Sequence, residues 1–541
     1  MSVTSRNPSE HHLQTSAETN APDPVDTKQQ GLPRRQILRA AFYVSTAPVA
    51  GGFLSACGGG GGSGSSRRSS SGSGEILPGT CEGVVSTGDE LNLPLGRLSA
   101  ISGLELDAAT QISIPTGPGT WAIDTIATAG LPVQLPGAGA GQSTLLNGSQ
   151  PGFVWHTLCD GGASFVKKDA AGQPTGGWIY TSNSEVLGAP QGGCSSISFN
   201  ADGEVDDAFT ILSNTQQNCA GGISPWDTWI SGEEHGTGLM WECDPYNPSQ
   251  GIAKPALGYF AHEACAIDWR DGKEAVYLTE DAGSGRFYKF VPNAEDFVYE
   301  GGVKTRLNME SGTLYALNID GWENDCYPSD DAEMRELHSC YWVPVVNNPE
   351  GQTAERSRLA DADLAVPGTV FDGGEGIWFY GVPSSHQTIP AGAAENTEAV
   401  IFFTTKGDNR VWALDVDNML VETIFDNSQI DPDFADVDNL VISPWHDVVV
   451  VEDPPSSPDQ RVMITLPNKE AKVLISAAHA GSEITGPAFS PDGKYFYFSS
   501  QRRGSGETYR LSIPPEIWDD ASYTETRDSS DIPSPEKFTT Y

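Results

Sequence analysis

At 541 residues, with 38% hydrophobic residues, 60 glycines and 37 prolines, the chain is long enough for a sizeable core and favours many short strands and turns over long helices. Its net charge of -41 excludes the clustered basic surface that nucleic acid or an anionic membrane face requires. Most of the 72 acidic residues read as solubilising surface, so the informative ones are those whose placement is patterned.

Residues 1–33 are polar and carry no structural pattern. Arg34 and Arg35 then precede a modest apolar stretch that ends Leu54, Ser55, Ala56, Cys57. This is the layout of a twin-arginine export signal over residues 1–56, too short and weak for a stable membrane span. Its end resembles a lipoprotein box, with Cys57 as the lipidated residue and membrane anchor. Residues 57–75, rich in Gly and Ser, form a tether with a reach of about 23 Å. The expectation is an exported, membrane-tethered protein at the periplasmic or cell-surface side. Twin-arginine export carries folded proteins, often loaded with a cofactor, which is a first hint of metal.

Beyond Cys57, eight cysteines remain: Cys81, Cys159, Cys194, Cys219, Cys243, Cys265, Cys326 and Cys340. An even number in an oxidising compartment allows disulfides, with buried thiols as the alternative, and the lack of a CxxC spacing argues against a zinc ribbon. Residues 76–151 are Gly/Pro-rich and read as a strand-and-loop segment packing on the main domain, which spans 152–541. There, VYLTED with GRFYKF, IFFTTK with NRVWAL, VVVVED with RVMITL and FYFSSQ with ETYRLS repeat one plan: apolar run, polar end, short loop, second strand. The last three begin at Ile401, Val448 and Phe496, a period of 47 to 48 residues. That period predicts an all-β, six-bladed β-propeller with a loop insertion near 320–358, a β-sandwich pair being the structural alternative.

In a propeller, equivalent positions of each blade meet at the mouth of the central channel. Acids recur at strand ends: Glu185, Glu233 and Glu234, Glu263, Glu280 and Asp281, Glu375, Asp438 with Asn439, Glu452 and Asp453, and Glu483. So many carboxylates in one channel repel one another unless hard cations neutralise them, and calcium, magnesium and iron(III) all take oxygen ligands. The expectation is a cluster of two or more metals.

The ordered motifs NCAGGISPWDTWISGEEHGTGLMWECDP, ALGYFAHEACAID, VYLTEDAGSGRFYKFVP and SEITGPAFSPDGKYFYFSSQ, with GGWIYTSNSE, GGEGIWF and DVDNLVISPWHDVVVVED in the expected order, resemble the PhoX-type alkaline phosphatases, exported bacterial metallophosphatases. The similarity runs from about Gly152 to Ser512. It implies a six-bladed propeller, a cluster of iron(III) and calcium, and hydrolysis of small phosphate monoesters, for which a metal-bound hydroxide or oxo group is the expected nucleophile; a monomer is expected, and the charge already speaks against nucleic acid. Carried over by motif, the metal ligands would be Glu234, Glu263, Glu280, Asp281, Glu375 and Glu452, with Glu185, Glu233, Asp438 and Glu483 at patterned positions. His262 is expected to orient a ligand or sit in the core. The resemblance also implies a metal-binding cysteine where this chain has Gly232, and an arginine where it has Gly373. Three consequences stay open: Cys219 or Cys243 reaches the site, the cluster is altered, or the activity is lost. The rival readings are a calcium-dependent propeller lactonase and a non-catalytic, metal-stabilised binding propeller.

Overall fold

The paired apolar runs fold as the second and third strands of successive antiparallel sheets: Ala275–Glu280 with Phe287–Pro292, Ala399–Thr405 with Arg410–Asp415, Val448–Glu452 with Gln460–Thr465, and Tyr495–Ser500 with Glu507–Ser512. The second strands of these pairs are rich in β-branched and aromatic residues and buried on both faces, so they read as continuous apolar runs and not as an alternation. The computed structural model describes Leu91 and residues 96–519 apart from internal stretches, of which 134–148 and 352–367 are the longest. The export segment, Cys57 and the tether lie outside the described residues.

Six four-stranded blades follow in chain order. Blade 1 is Cys159–Lys168, Pro174–Ser184, Gly192–Phe199 and Val205–Thr215. Blade 2 is Asn218–Ile223, Trp229–Glu233, Met240–Cys243 and Ile252–Ala253. Blades 3, 4 and 5 open on His262–Asp268, Gly374–Gly381 and Val437–Ile442 and close on Gly312–Ile319, Leu420–Phe425 and Ala471–Ala477. Blade 6 opens on Ile484–Phe489, and its fourth strand is Ala122–Thr128, which pairs antiparallel with Glu507–Ser512. The six opening strands neighbour one another in a closed ring, each packed on the next and the sixth on the first. This is propeller architecture, and closure by an early strand ties the two ends of the described chain together.

That closing strand lies before residue 152, where the propeller was expected to begin, and Ser102–Asp107 with Ile112–Gly117 extend blade 5 through pairing of Ile112 with Ala477. Between blades 3 and 4, His338–Pro344 pairs with the outer strand of both, joining them into one sheet. Aromatic residues fill the spaces between blades. Tyr180 of blade 1 stacks on Tyr497 of blade 6 with centroids 5.0 Å apart, and the Trp178 indole N–H donates to the Tyr497 hydroxyl at 3.0 Å. Among the described residues no helix is long and apolar enough to cross a membrane.

Candidate metal centre

Each opening strand breaks register at the same level, between Cys159 and Gly162, Asn218 and Gly221, His262 and Cys265, Gly374 and Ile377, Val437 and Leu440, and Thr485 and Ala488. A bulge re-aims the residue it adds. In five blades the residue after the break begins is a metal-ligating type: Asp160, Cys219, Glu263, Glu375 and Asp438. Blade 6 has Gly486 there and contributes Glu483 from just ahead of its strand. The residues that follow the donors, Gly161, Ala220, Ala264, Gly376 and Asn439, line the channel below. The ring is tight at that level: a Cβ at Gly161 would lie 2.4 Å from the Ala220 Cα, and one at Gly376 would lie 2.4 Å from the Leu440 nitrogen.

Four donor groups form, each with its ligand atoms within 4.8 Å of one another: Asp160, Glu185 and Cys219; Cys219, Glu234 and Glu263; Glu263, Glu375 and Asp438; and Asp438, Asp453 and Glu483. Shared members Cys219, Glu263 and Asp438 chain them into one arc. Of the residues singled out from sequence, the structure thus brings together Glu185, Glu234, Glu263, Glu375, Asp438 and Glu483, and Asp281 faces the same arc through its repulsion of Glu234 and Glu375. Glu233, Glu280 and Glu452 are placed otherwise. Glu233 accepts the backbone N–H groups of Gln216 at 3.0 Å and Leu239 at 3.2 Å. Glu280 accepts the Arg286 N–H at 2.8 Å and the Tyr288 hydroxyl at 3.2 Å, and Glu452 pairs with Arg461 at 2.6 Å. These three hold loops. Asp160, Cys219, Asp453, Lys406 and Arg502 stand in or beside the arc, and only Cys219 and Asp453 among them are candidates on sequence grounds.

Burial pushes Asp160, Glu234, Glu263, Glu375 and Glu483 well above the ordinary carboxylate range, and repulsion among the set adds to it. Burial raises the Cys219 thiol in the same way, reinforced by Asp160 and Glu263. Burial would lower Lys406, but Asp438, Glu375 and Asp453 outweigh it and hold the ammonium well above its ordinary value. Gln501 donates to Asp160 Oδ2 at 2.5 Å and Glu185 Oε2 at 2.8 Å, while Arg502 pairs with Asp453 at 3.1 Å and Glu483 at 3.1 Å. Glu263 Oε2, on a side chain with no exposure, has no hydrogen-bond partner among the described residues. An orphaned carboxylate oxygen beside a buried thiol and a row of acids fits a cation-binding role, since cations both satisfy and ionise such groups. Carboxylates suit calcium, magnesium or iron(III), and a thiolate adds affinity for iron or zinc.

Gly232 is a packing residue, because a Cβ there would lie 2.6 Å from the His262 carbonyl oxygen and 2.8 Å from that of Glu263. Cys243 sits in an apolar cluster with Cys194 and Trp229. Six of the cysteines, Cys159, Cys194, Cys219, Cys243, Cys265 and Cys340, are free and buried, and Cys326 is disulfide-bonded. His262 is a core residue: it is fully buried, its Nε2 lies 3.2 Å from the Gly258 carbonyl oxygen, and its ring centroid is 3.7 Å from that of Phe260. Burial pushes it down from 6.5 to about 3. The unfolded chain therefore takes up this proton first, so the histidine's stabilising contribution is intact above pH 6.5 and drains away as the pH falls towards 3. Urea unfolding of His262→Phe should show about 2 kcal/mol less loss than wild type between roughly pH 6.5 and 4.5.

Fold and site together define a β-propeller whose channel mouth is an anionic, carboxylate-lined donor arc. The chain belongs to the PhoX alkaline phosphatase family, whose model matches residues 235–504, and that family is metal-dependent. Among solved structures, Pseudomonas fluorescens PhoX in complex with vanadate, a transition state analogue, is similar at a TM-score of 0.51 and 15% identity, covering 79% of this chain and 98% of its own. A streptogramin B lyase structure aligns at a TM-score of 0.34 and 8% identity, covering 72% and 97%. No curated protein matches the chain in sequence.

Proposed function

We propose that the chain is a metal-dependent phosphomonoesterase whose cluster of calcium and iron is held by Asp160, Glu185, Cys219, Glu234 and Glu263, with Asp281, Glu375, Asp438, Asp453 and Glu483 around it. The observation that carries this reading is the continuous arc of donors linked through Cys219, Glu263 and Asp438. Cys219 supplies the thiolate, and Gly232 is a packing position that costs the set no ligand. When bound, the metals neutralise the transferred oxygens and make water nucleophilic near neutral pH.

The residues of the chain do the rest. A phosphate dianion meets a protein of net charge -41, so positive charge has to be concentrated at the mouth. Arg502, with 40% of its side chain exposed, is anchored by Asp453 and Glu483 and keeps further N–H donors for a phosphate oxygen. Gln501 fixes Asp160 and Glu185 in their rotamers, which pre-organises the donor set. Export through the Arg34–Arg35 segment and tethering through Cys57 belong to the same proposal on sequence grounds. The test is elemental analysis for iron and calcium on natively exported protein, with p-nitrophenyl phosphate and a simple lactone assayed on the same sample before and after chelation. The expected result is at least about two metal equivalents and phosphatase turnover that chelator abolishes and metal restores. Less than one equivalent in total, or turnover of the lactone alone, would refute it.

A further inference from the structure

Lys406 breaks the pattern of the arc. It follows Ala399–Thr405, the second strand of blade 4, at the position held by Glu185, Glu234, Asp281 and Asp453 in blades 1, 2, 3 and 5. Its Nζ lies 3.1 Å from Glu375 Oε1, 3.0 Å from Asp438 Oδ2 and 3.6 Å from Asp453 Oδ2. Glu375 and Asp438 belong to the donor group with Glu263, and Asp438 and Asp453 to the adjoining group with Glu483. The side chain is held in place from its base: the Lys406 N–H donates to the Gly373 carbonyl oxygen at 2.8 Å, and the absence of a side chain at Gly373 leaves free the space that would otherwise begin 3.6 Å from the Lys406 Cβ.

The two sides of the arc are therefore unlike. On one, Asp438, Glu375, Asp453 and Glu483 already face cationic nitrogens from Lys406 and Arg502. On the other, among the described residues, Asp160, Glu185, Glu234 and Glu263 form no ion pair with lysine, arginine or histidine, and the thiol of Cys219 stands among them.

We propose that the Lys406 ammonium is a built-in cation that takes the place of a divalent ion between Glu375, Asp438 and Asp453, so that bound metal is confined to the side built by Asp160, Glu185, Cys219, Glu234 and Glu263. An ammonium presents three donors and matches three carboxylates. A calcium ion would need the same oxygens at roughly 2.3–2.6 Å, and both cations cannot occupy one centre. The inference rests on the metal-cluster reading and sharpens it by saying where the metal is not.

The experiment compares wild type, Lys406→Met and Lys406→Arg, each equilibrated with calcium and freed of excess, by elemental analysis and calcium titration. Removing the built-in charge is expected to raise the calcium content of the Met variant by about one equivalent, while the Arg variant, which keeps the charge, matches wild type. A folded Met variant that binds the same number or fewer overturns the proposal. Should the Met variant not fold, anomalous scattering from wild-type crystals soaked in manganese decides. Ions confined to the Cys219 side support it, and an ion coordinated by both Glu375 and Asp438 overturns it. Wild type holding less than one metal equivalent would instead sink the cluster reading, and the proposal with it.

Discussion

Replacing Cys219 by serine is expected to strip metal from the channel and to lower p-nitrophenyl phosphate turnover by about 100-fold or more, with the unfolding of the metal-free protein left near wild type. Cys219 belongs to two donor groups at once, with Asp160 and Glu185 on one side and Glu234 and Glu263 on the other. Losing it therefore removes a ligand and also the link between two portions of the arc. A serine hydroxyl fits the space, but it stays protonated where a thiolate binds, and this is what turns a nearly isosteric change into a large functional one. Cys243→Ala is the control, because Cys243 is also buried but packs among Cys194, Trp229 and Ile211 and belongs to no donor group of the arc. Elemental analysis and turnover on both variants check the assignment. Full metal content in Cys219→Ser would show that the thiol is a core residue and no ligand.

The second strands of the blades were legible in the sequence because they are long, apolar and end in charge. Of the opening strands, three were marked by the acids Glu263, Glu375 and Asp438, while the first two, which carry Asp160 and Cys219, were not. Asp160 and Cys219 stand in CDGG and NCAGG, where the glycines read as loop, yet in the ring those small residues are what close approach of neighbouring strands demands. Aligning DGG, CAGG, EAC and EGI by the small residue after each donor would have found them. The paired acids pose a different difficulty. In Glu233–Glu234, Glu280–Asp281 and Glu452–Asp453, successive side chains point to opposite faces, so one member can meet the channel while the other holds a loop. Which is which depends on the strand register, and spacing does not carry it. The even cysteine count pointed towards disulfides and away from a spare thiol, but six buried cysteines are free. Six blades could be counted from the period, whereas the strand Ala122–Thr128 pairs with Glu507–Ser512, far along the chain, and no local pattern records that pairing.

Trp412→Ala should lower stability by about 3–5 kcal/mol and leave the metal content of the folded protein unchanged. The residue is 1% exposed and lies in blade 4, where its indole stacks on Phe403 with centroids 5.7 Å apart and planes at 2°. Phe371 meets it edge-on at 5.3 Å, and Phe403 in turn stacks at 4.3 Å on Phe287 of blade 3. The truncation therefore opens a cavity at the seam between two blades, where a ring architecture has no second layer to collapse into the space. It also removes the indole N–H that Thr405 Oγ1 accepts at 2.8 Å, while Thr405 keeps the bond that it donates to Asp408. Trp412→Phe retains the stacking and gives up the hydrogen bond and part of the area, so it should cost about half as much. Urea unfolding measures both, and a loss below about 1 kcal/mol for the alanine variant would mean that the seam repacks. Together with Cys219→Ser the pair separates two things that the propeller combines. On the proposed reading stability resides in the aromatic seams between blades and chemistry in the bulged inner ring, so one variant should lose the first and keep the second, and the other should do the reverse.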